Sequence, residues 1–180
     1  HRALFAGGCV RDRLLGQPPK DYDVATSASP EEVERLFPRT LEVGKAFGVV
    51  RVLGPGAENP LQVEVATFRT ESGYSDGRHP DRVAFSSEIE DVRRRDFTVN
   101  GLLYDPLTDE VVDHVGGRED LARRRIRAIG DPRERFREDK LRLLRAVRFA
   151  ANLGFEIDGP TLAAVKKEAQ AVTQVSAERI

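Results

Sequence analysis

A single cysteine, Cys9, leaves the chain without an internal disulfide and without the thiolates of a zinc cluster. A reducing, cytoplasmic setting fits that scarcity. No apolar run reaches the length a bilayer requires and no signal-peptide pattern opens the chain, so no membrane partner is expected. The first residues already read as a strand, which leaves room for a segment upstream of His1. Internal repeats and low-complexity tracts are missing too, which excludes solenoid and tail-like architectures. Neither sign of charge dominates, the formal net charge being −1. What is present is 39% hydrophobic residues in a chain of 180, enough for one domain of ordinary size plus a short appendage. The basic residues are overwhelmingly arginine and they cluster at Arg93-Arg94-Arg95, at Arg123-Arg124-Arg125 with Arg127, and from Arg133 to Arg148. Arginine suits bidentate recognition of phosphate and base edges. Acidic residues are interleaved in the last and longest of these clusters but not in the first two, and a solvated, ion-paired surface explains the charge equally well.

The most informative stretch is Asp21-Tyr22-Asp23, which follows closely on Gly7-Gly8-Cys9-Val10-Arg11-Asp12. A strand over Asp21 to Ala25 places Asp21 and Asp23 on one face, with Tyr22 and Val24 on the other. Two like charges held as neighbours repel unless a cation bridges them or a proton is shared. Oxygen-rich pairs of this kind suit Mg²⁺, whose shell substrate phosphates usually complete. Phosphoryl or nucleotidyl transfer is the chemistry indicated. Surface ion pairs with Lys20 and Arg13 are the commoner fate of two aspartates.

Leu4-Phe5-Ala6 reads as a buried strand that breaks at Gly7-Gly8 and gives way to a helix from Val10 to Leu15, a turn whose amides can approach an anion. Ser29-Pro30-Glu31-Glu32 carries the residues of a capping box, and Pro38 ends the helix it opens. Gly48 to Leu53 and Leu61 to Arg69 form an antiparallel hairpin around Gly54-Pro55-Gly56 and Asn59-Pro60, with Glu64 on its second strand. Thr70 to Arg82 reads as an exposed, mobile loop, and Val83 to Phe85 as a last strand before a helical pattern begins at Glu88. A further hairpin turns around Asp105-Pro106 and Thr108-Asp109. Asp131-Pro132 caps a mostly helical remainder: a helix from Arg135 to Leu153, a stop at Gly154, another helix from Thr161 to Ala171 and a helix start at Ser176-Ala177-Glu178.

Several constellations carry chemistry. Gly8 and Arg11 put exposed amides and a guanidinium about one helical turn apart, where a triphosphate can be held. Glu64 joins Asp21 and Asp23 as a third carboxylate if its strand lies beside theirs; alone it is an ordinary solvent-facing glutamate. In Arg94-Arg95-Asp96-Phe97-Thr98-Val99-Asn100 the arginines can meet phosphate while Asp96 or Asn100 hydrogen-bonds a ribose hydroxyl, an ion-paired helix start being the plainer reading. From Glu138 to Phe149, Asp139, Arg142, Arg145 and Arg148 recur every three residues along one helix, and Leu141, Leu144 and Val147 are expected to face the core. An Asp and an Arg one turn apart can bond the Watson–Crick edge of a base. A ladder of i,i+3 ion pairs uses the same residues.

Taken in order, these motifs resemble the class II tRNA nucleotidyltransferase and bacterial poly(A) polymerase family, a branch of the polymerase-β-like nucleotidyltransferases. The resemblance also takes in Glu64-Val65-Ala66-Thr67-Phe68-Arg69 and Asp76-Gly77-Arg78, and runs through nearly the whole chain. It implies an α+β fold: a nucleotidyltransferase head over residues 1–130 with a mainly antiparallel sheet and flanking helices, then a helical neck over 131–180 in which the chain stops short of the family's body and tail. Gly101 stands where alanine is common in the family.

The resemblance further implies Mg²⁺ on Asp21 and Asp23, and Glu64 as a metal ligand or proton acceptor. Gly8, Arg11 and Arg95 are implied for the triphosphate, Asp96 for the ribose, and Asp139, Arg142, Arg145 and Arg148 for the nucleotide site. The implied reaction is template-independent addition of CMP and AMP, from CTP and ATP, to an RNA 3′ end, that of tRNA above all, by two-metal catalysis. Residues 70–82 are implied as the switch between CTP and ATP pockets. Poly(A) addition from ATP alone is the neighbouring alternative; Gly44-Lys45-Ala46-Phe47-Gly48-Val49 leans toward the CCA-adding type. A non-catalytic RNA-binding module is the alternative of another class. Nothing in the sequence sets an oligomeric state.

Overall fold

The computed structural model describes every residue except 43–46, 57–60, 75–79, 177, 179 and 180. The chain runs through β1 (Ala3–Ala6), α1 (Gly8–Leu14), β2 (Asp23–Thr26), α2 (Pro30–Leu36), β3 (Thr40–Glu42), β4 (Val49–Leu53), β5 (Gln62–Thr67), β6 (Arg69–Ser72) and β7 (Arg82–Phe85). There follow α3 (Glu88–Arg93), β8 (Leu102–Asp105), β9 (Glu110–Asp113), α4 (Gly117–Ala122), β10 (Arg125–Ile126), α5 (Pro132–Glu138), α6 (Leu141–Leu153), β11 (Glu156–Ile157) and α7 (Gly159–Glu168). Two compact units result. One holds His1–Thr70, Val83–Val92 and Leu102–Val112; the other holds Glu71–Arg82, Arg93–Gly101 and Asp113–Ile180. No helix among the described residues is long and apolar enough to cross a membrane.

The first unit is built on a sheet of order β3-β4-β5-β2-β1-β8-β9. β1 runs antiparallel to β2 and β8, and β4 antiparallel to β3 and β5, while β2 and β5 are parallel. One face buries Val50 and Val65 with Ala28 and Val33, the last carried by α2, against half-buried Val24, Val52 and Val63. The capping box of α2 is complete: Ser29 accepts from the Glu32 amide at 3.3 Å and Glu32 from the Ser29 amide at 2.8 Å. The β4–β5 hairpin is in register from Val49 opposite Ala66 to Leu53 opposite Gln62.

Several boundaries depart from the sequence reading. β2 begins at Asp23 and runs to Thr26, so Asp21 precedes the strand. The cause is its neighbour: β1 ends at Ala6, opposite Asp23, where Gly7 turns away at φ 74° into α1, leaving Asp21 no antiparallel partner. That same turn starts α1 at Gly8, two residues ahead of Val10. Part of the expected loop is strand, since β6 and β7 pair as a separate two-stranded sheet. The middle of that loop, with Asp76-Gly77-Arg78, lies outside the described residues, as do Gly44, Lys45, Ala46, the Asn59-Pro60 turn and Ala177 of the expected helix start at Ser176.

The second unit buries Phe97, Ile126, Phe136 and Ala146 completely, with Leu143 nearly so. Asp131 caps α5, its carboxylate accepting from the Arg133 and Glu134 amides at 2.7 and 3.4 Å. The single helix expected from Arg135 to Leu153 is two. Asp139 is extended (φ −140°, ψ 111°) and its carboxylate accepts from the Leu141 amide at 3.0 Å, a local bond that competes with the helical ladder. α6 therefore starts at Leu141 and stops at Gly154, which takes the left-handed conformation (φ 63°). Its core face is also different: Arg142, Leu143 and Ala146 are buried, whereas Val147 is 52% exposed and Leu141 and Leu144 are half-buried. α7 begins at Gly159 behind the Asp158 cap, two residues before Thr161, and ends at Glu168, the chain continuing as a 3₁₀ turn to Gln174.

Candidate functional site

The predicted residues divide between the units: Gly8, Arg11, Asp21, Asp23 and Glu64 belong to the first, and Arg95, Asp96, Asp139, Arg142, Arg145 and Arg148 to the second.

In the first unit the condition set on Glu64 is met. β2 and β5 are hydrogen-bonded neighbours, and Asp23 stands directly opposite Glu64. Residues opposite each other in register leave the sheet on the same face, and both of these are exposed at its surface. Beyond Glu64 the same row reaches Arg51 on β4. Arg51 Nη2 donates to Glu64 Oε1 at 2.7 Å. Asp21, exposed, stands two residues ahead of Asp23, before the strand begins. Among the described residues no group of three acid, histidine or cysteine side chains is arranged to hold a metal ion. Asp23 on β2 and Asp21 on its approach supply two carboxylates, a donor set of the kind that fits Mg²⁺, which takes one or two protein carboxylates and keeps water and phosphate for the rest.

Gly8 and Arg11 sit at the start of α1. The Arg11 guanidinium donates to Asp12 Oδ1 through Nε at 2.9 Å and Nη2 at 2.7 Å. A Cβ on Gly8 would lie 3.7 Å from Arg11 Nη2, so glycine here leaves the guanidinium close to bare backbone. Cys9, behind the same turn, is buried and donates to the Ala6 carbonyl at 3.3 Å; burial pushes its thiol pKa up. It is an inert core thiol. A cavity of about 280 Å³ among Phe5, Cys9, Arg13, Tyr22 and Tyr104 contains none of the predicted site residues.

In the second unit the predicted residues are heavily engaged with the protein. Asp96 Oδ2 accepts from Arg145 through Nε at 2.7 Å and Nη2 at 2.6 Å, while Oδ1 accepts from the Phe97 amide at 2.8 Å and Asn100 Nδ2 at 3.3 Å. Arg142, 9% exposed, donates to Glu138 Oε2 at 2.6 Å and to the carbonyls of Arg135 and Arg94 at 3.2 and 3.1 Å. Such a guanidinium is fixed in place before any ligand arrives. Arg145 lies over the Phe149 ring at 5.0 Å, and Arg148, exposed, approaches the same ring at 5.8 Å. Arg95 is half-buried.

Two further acids were not singled out by sequence. Asp120 is fully buried and accepts from Thr98 Oγ1 at 2.6 Å, Arg125 Nε at 2.7 Å and Arg127 Nε at 2.7 Å. Burial works against its charge, but these donors outweigh it and leave the carboxyl below its ordinary value. Asp113 is likewise opposed by burial and held low by the amides of Arg118, Gly117, Val115 and Gly116. Both are structural anchors. Arg51 was also missed, although a charge inside Val49-Val50-Arg51-Val52-Leu53 is a visible signal of an open sheet face.

The sequence pattern of the Poly A polymerase head domain matches residues 3–127. The chain belongs to this family. Its sheet, with helices packed beside it, is the polymerase-β-like nucleotidyltransferase head fold. Among curated relatives, a CCA-adding enzyme of Bacillus pumilus is 47% identical over 99% of this chain and 44% of its own length. A CCA-adding enzyme of Enterococcus faecalis is 49% identical over 99% of this chain and 43% of its own. The chain thus spans less than half the length of the curated relatives it matches. Of solved structures, the Bacillus stearothermophilus CCA-adding enzyme in complex with CTP superposes with a TM-score of 0.86 at 44% identity, covering 98% of this chain and 42% of that one. A Thermotoga maritima CCA-adding enzyme complexed with tRNA gives 0.75 at 26% identity, covering 98% and 40%.

Proposed function

We propose that this protein transfers nucleotides to the 3′ end of tRNA without a template, adding CMP and AMP from CTP and ATP in CCA addition or part of it. The observation that carries the reading is the placement of Asp23 opposite Glu64 on one open sheet face, with Asp21 two residues ahead. The relatives named CCA-adding enzymes, and the similar structures with CTP and with tRNA, support the same substrates. Residues 1–130 act as the head and 131–180 as part of a helical neck, in a cytoplasmic enzyme.

Asp21 and Asp23 would hold Mg²⁺, which when bound supplies charge neutralisation at the transferring phosphoryl group. In the transfer, the RNA 3′-oxygen forms a bond to the α-phosphorus as the bond to the β-phosphate oxygen breaks and pyrophosphate leaves. Glu64, on the same row, would accept the proton of the 3′-hydroxyl. Gly8 presents backbone at the α1 turn and Arg11 and Arg95 present guanidinium groups for triphosphate oxygens. Asp139 and Arg142 read the incoming base; an immobilised Arg142 suits a reader, since its donors keep fixed directions. Arg148 contributes positive charge, while Asp96 and Arg145 serve through the bidentate pair that holds α6 to the Asp96 segment. Residues 70–82 are proposed as the switch between CTP and ATP.

The test is incorporation by the intact protein on tRNA lacking its 3′ end, with CTP and ATP supplied separately and together. Sequential CMP then AMP addition is expected. Homopolymeric AMP addition from ATP alone would make the protein a poly(A) polymerase, and metal-independent RNA binding with no incorporation would make it a binding module.

A further inference from the structure

Arg51, Glu64 and Asp23 occupy one row across β4, β5 and β2, so a guanidinium and two carboxylates emerge side by side on the same face. Neighbouring strands stand about 4.8 Å apart, which puts carboxylates at Asp23 and Glu64 within reach of a single cation. Glu64 is instead bonded to Arg51 at 2.7 Å, and Arg51 Nη1 extends toward Gln62 Oε1 at 3.5 Å. The side chains are 31% and 46% exposed, so the pair adds little to stability. Its significance lies in its place beside the acids. We propose that Arg51 is a positioning residue whose guanidinium holds Glu64 away from the divalent cation taken by Asp23, so that position 51 sets how tightly this face binds the ion. The inference rests on the nucleotidyl-transfer reading of these acids.

Two effects follow from removing Arg51. A fixed cation leaves the neighbourhood of a dication, and the Glu64 oxygen is released to turn toward Asp23. The first is plain electrostatics; the second needs Glu64. Mn²⁺ binding to the full chain, read from the electron paramagnetic resonance of the free ion, separates them. Arg51→Met should tighten Mn²⁺ binding by about three- to ten-fold, the size expected for a charge several ångströms away in a wet environment together with one new ligand. In a Glu64→Gln background the same substitution should gain less than about two-fold. Arg51→Lys keeps a cationic donor and should hold the original affinity. Equal gains in both backgrounds, no gain in either, or a lysine variant indistinguishable from the methionine one would each overturn the proposal. Asp23→Asn should abolish the site; if it binds Mn²⁺ as before, the metal reading of these acids fails and the proposal fails with it. Loss of binding in Asp23→Asn with no gain in Arg51→Met defeats the role of Arg51 alone. Thermal melting of each variant checks that the fold is kept.

Discussion

Asp23 and Glu64 in the first unit and Asp96 and Asp120 in the second are acids in opposite circumstances. The first pair is exposed on a sheet face. The second pair is buried, with donors from backbone, amide, hydroxyl and guanidinium groups filling its acceptor sites. A buried carboxylate survives only when the protein completes its hydrogen bonds. An exposed one beside another acid can exchange its partners for a solute cation, as Glu64 can exchange Arg51. The contrast separates carboxylates that hold the fold from those fit to hold a metal.

Substitution in each class should break that contrast in opposite ways. Asp21→Ala or Asp23→Asn should reduce nucleotide incorporation by about 10²- to 10³-fold, the loss of several kcal/mol of charge stabilisation, with the melting temperature nearly unchanged. Unimpaired incorporation would remove Asp21 and Asp23 from the reaction. Asp120→Asn should instead cost about 2–4 kcal/mol of stability in urea unfolding, because two arginines and a buried hydroxyl lose an anionic acceptor. The partly exposed guanidinium groups keep the figure below that of a fully enclosed pair.

Acid sharpens the comparison further. Asp113 and Asp120 have carboxyls below their ordinary value, so near pH 4 the unfolded chain binds more protons than the folded one. The stability they add is complete above about pH 5 and disappears as pH falls through their folded values. The urea midpoint should therefore drop below about pH 4, and the double variant Asp113→Asn, Asp120→Asn should flatten that limb. An unchanged limb would show that other carboxyls govern the acid transition. The smallest effect belongs to Ser29→Ala, which removes one half of the α2 capping box and should cost about 1 kcal/mol.

Much of this was legible beforehand where the cause is local. Ser29 and Asp131 read correctly as caps, Gly154 as a stop and the β4–β5 hairpin as antiparallel because each depends on residues a few positions apart. The motif order was legible too, and with it the family. The acids of the second unit were not, since Asp96 meets Arg145 across 49 residues and Asp120 meets Thr98 across 22. Asp139 was misplaced inside a helix because spacing alone ignores a carboxylate that bonds its own following amide. Val147 was assigned to the core by a three-residue stripe, although Leu143 and Ala146 fix the buried face.

The sequence by itself determined which acids and arginines are present, in what order, and on what kind of local element, since capping, turning and strand alternation act over neighbouring residues. Tertiary structure alone decided that Glu64 lies opposite Asp23, that Arg51 holds it, and that Asp96 is bound to Arg145. Strand register and distant ion pairs depend on how separate segments pack, and no short-range preference encodes them.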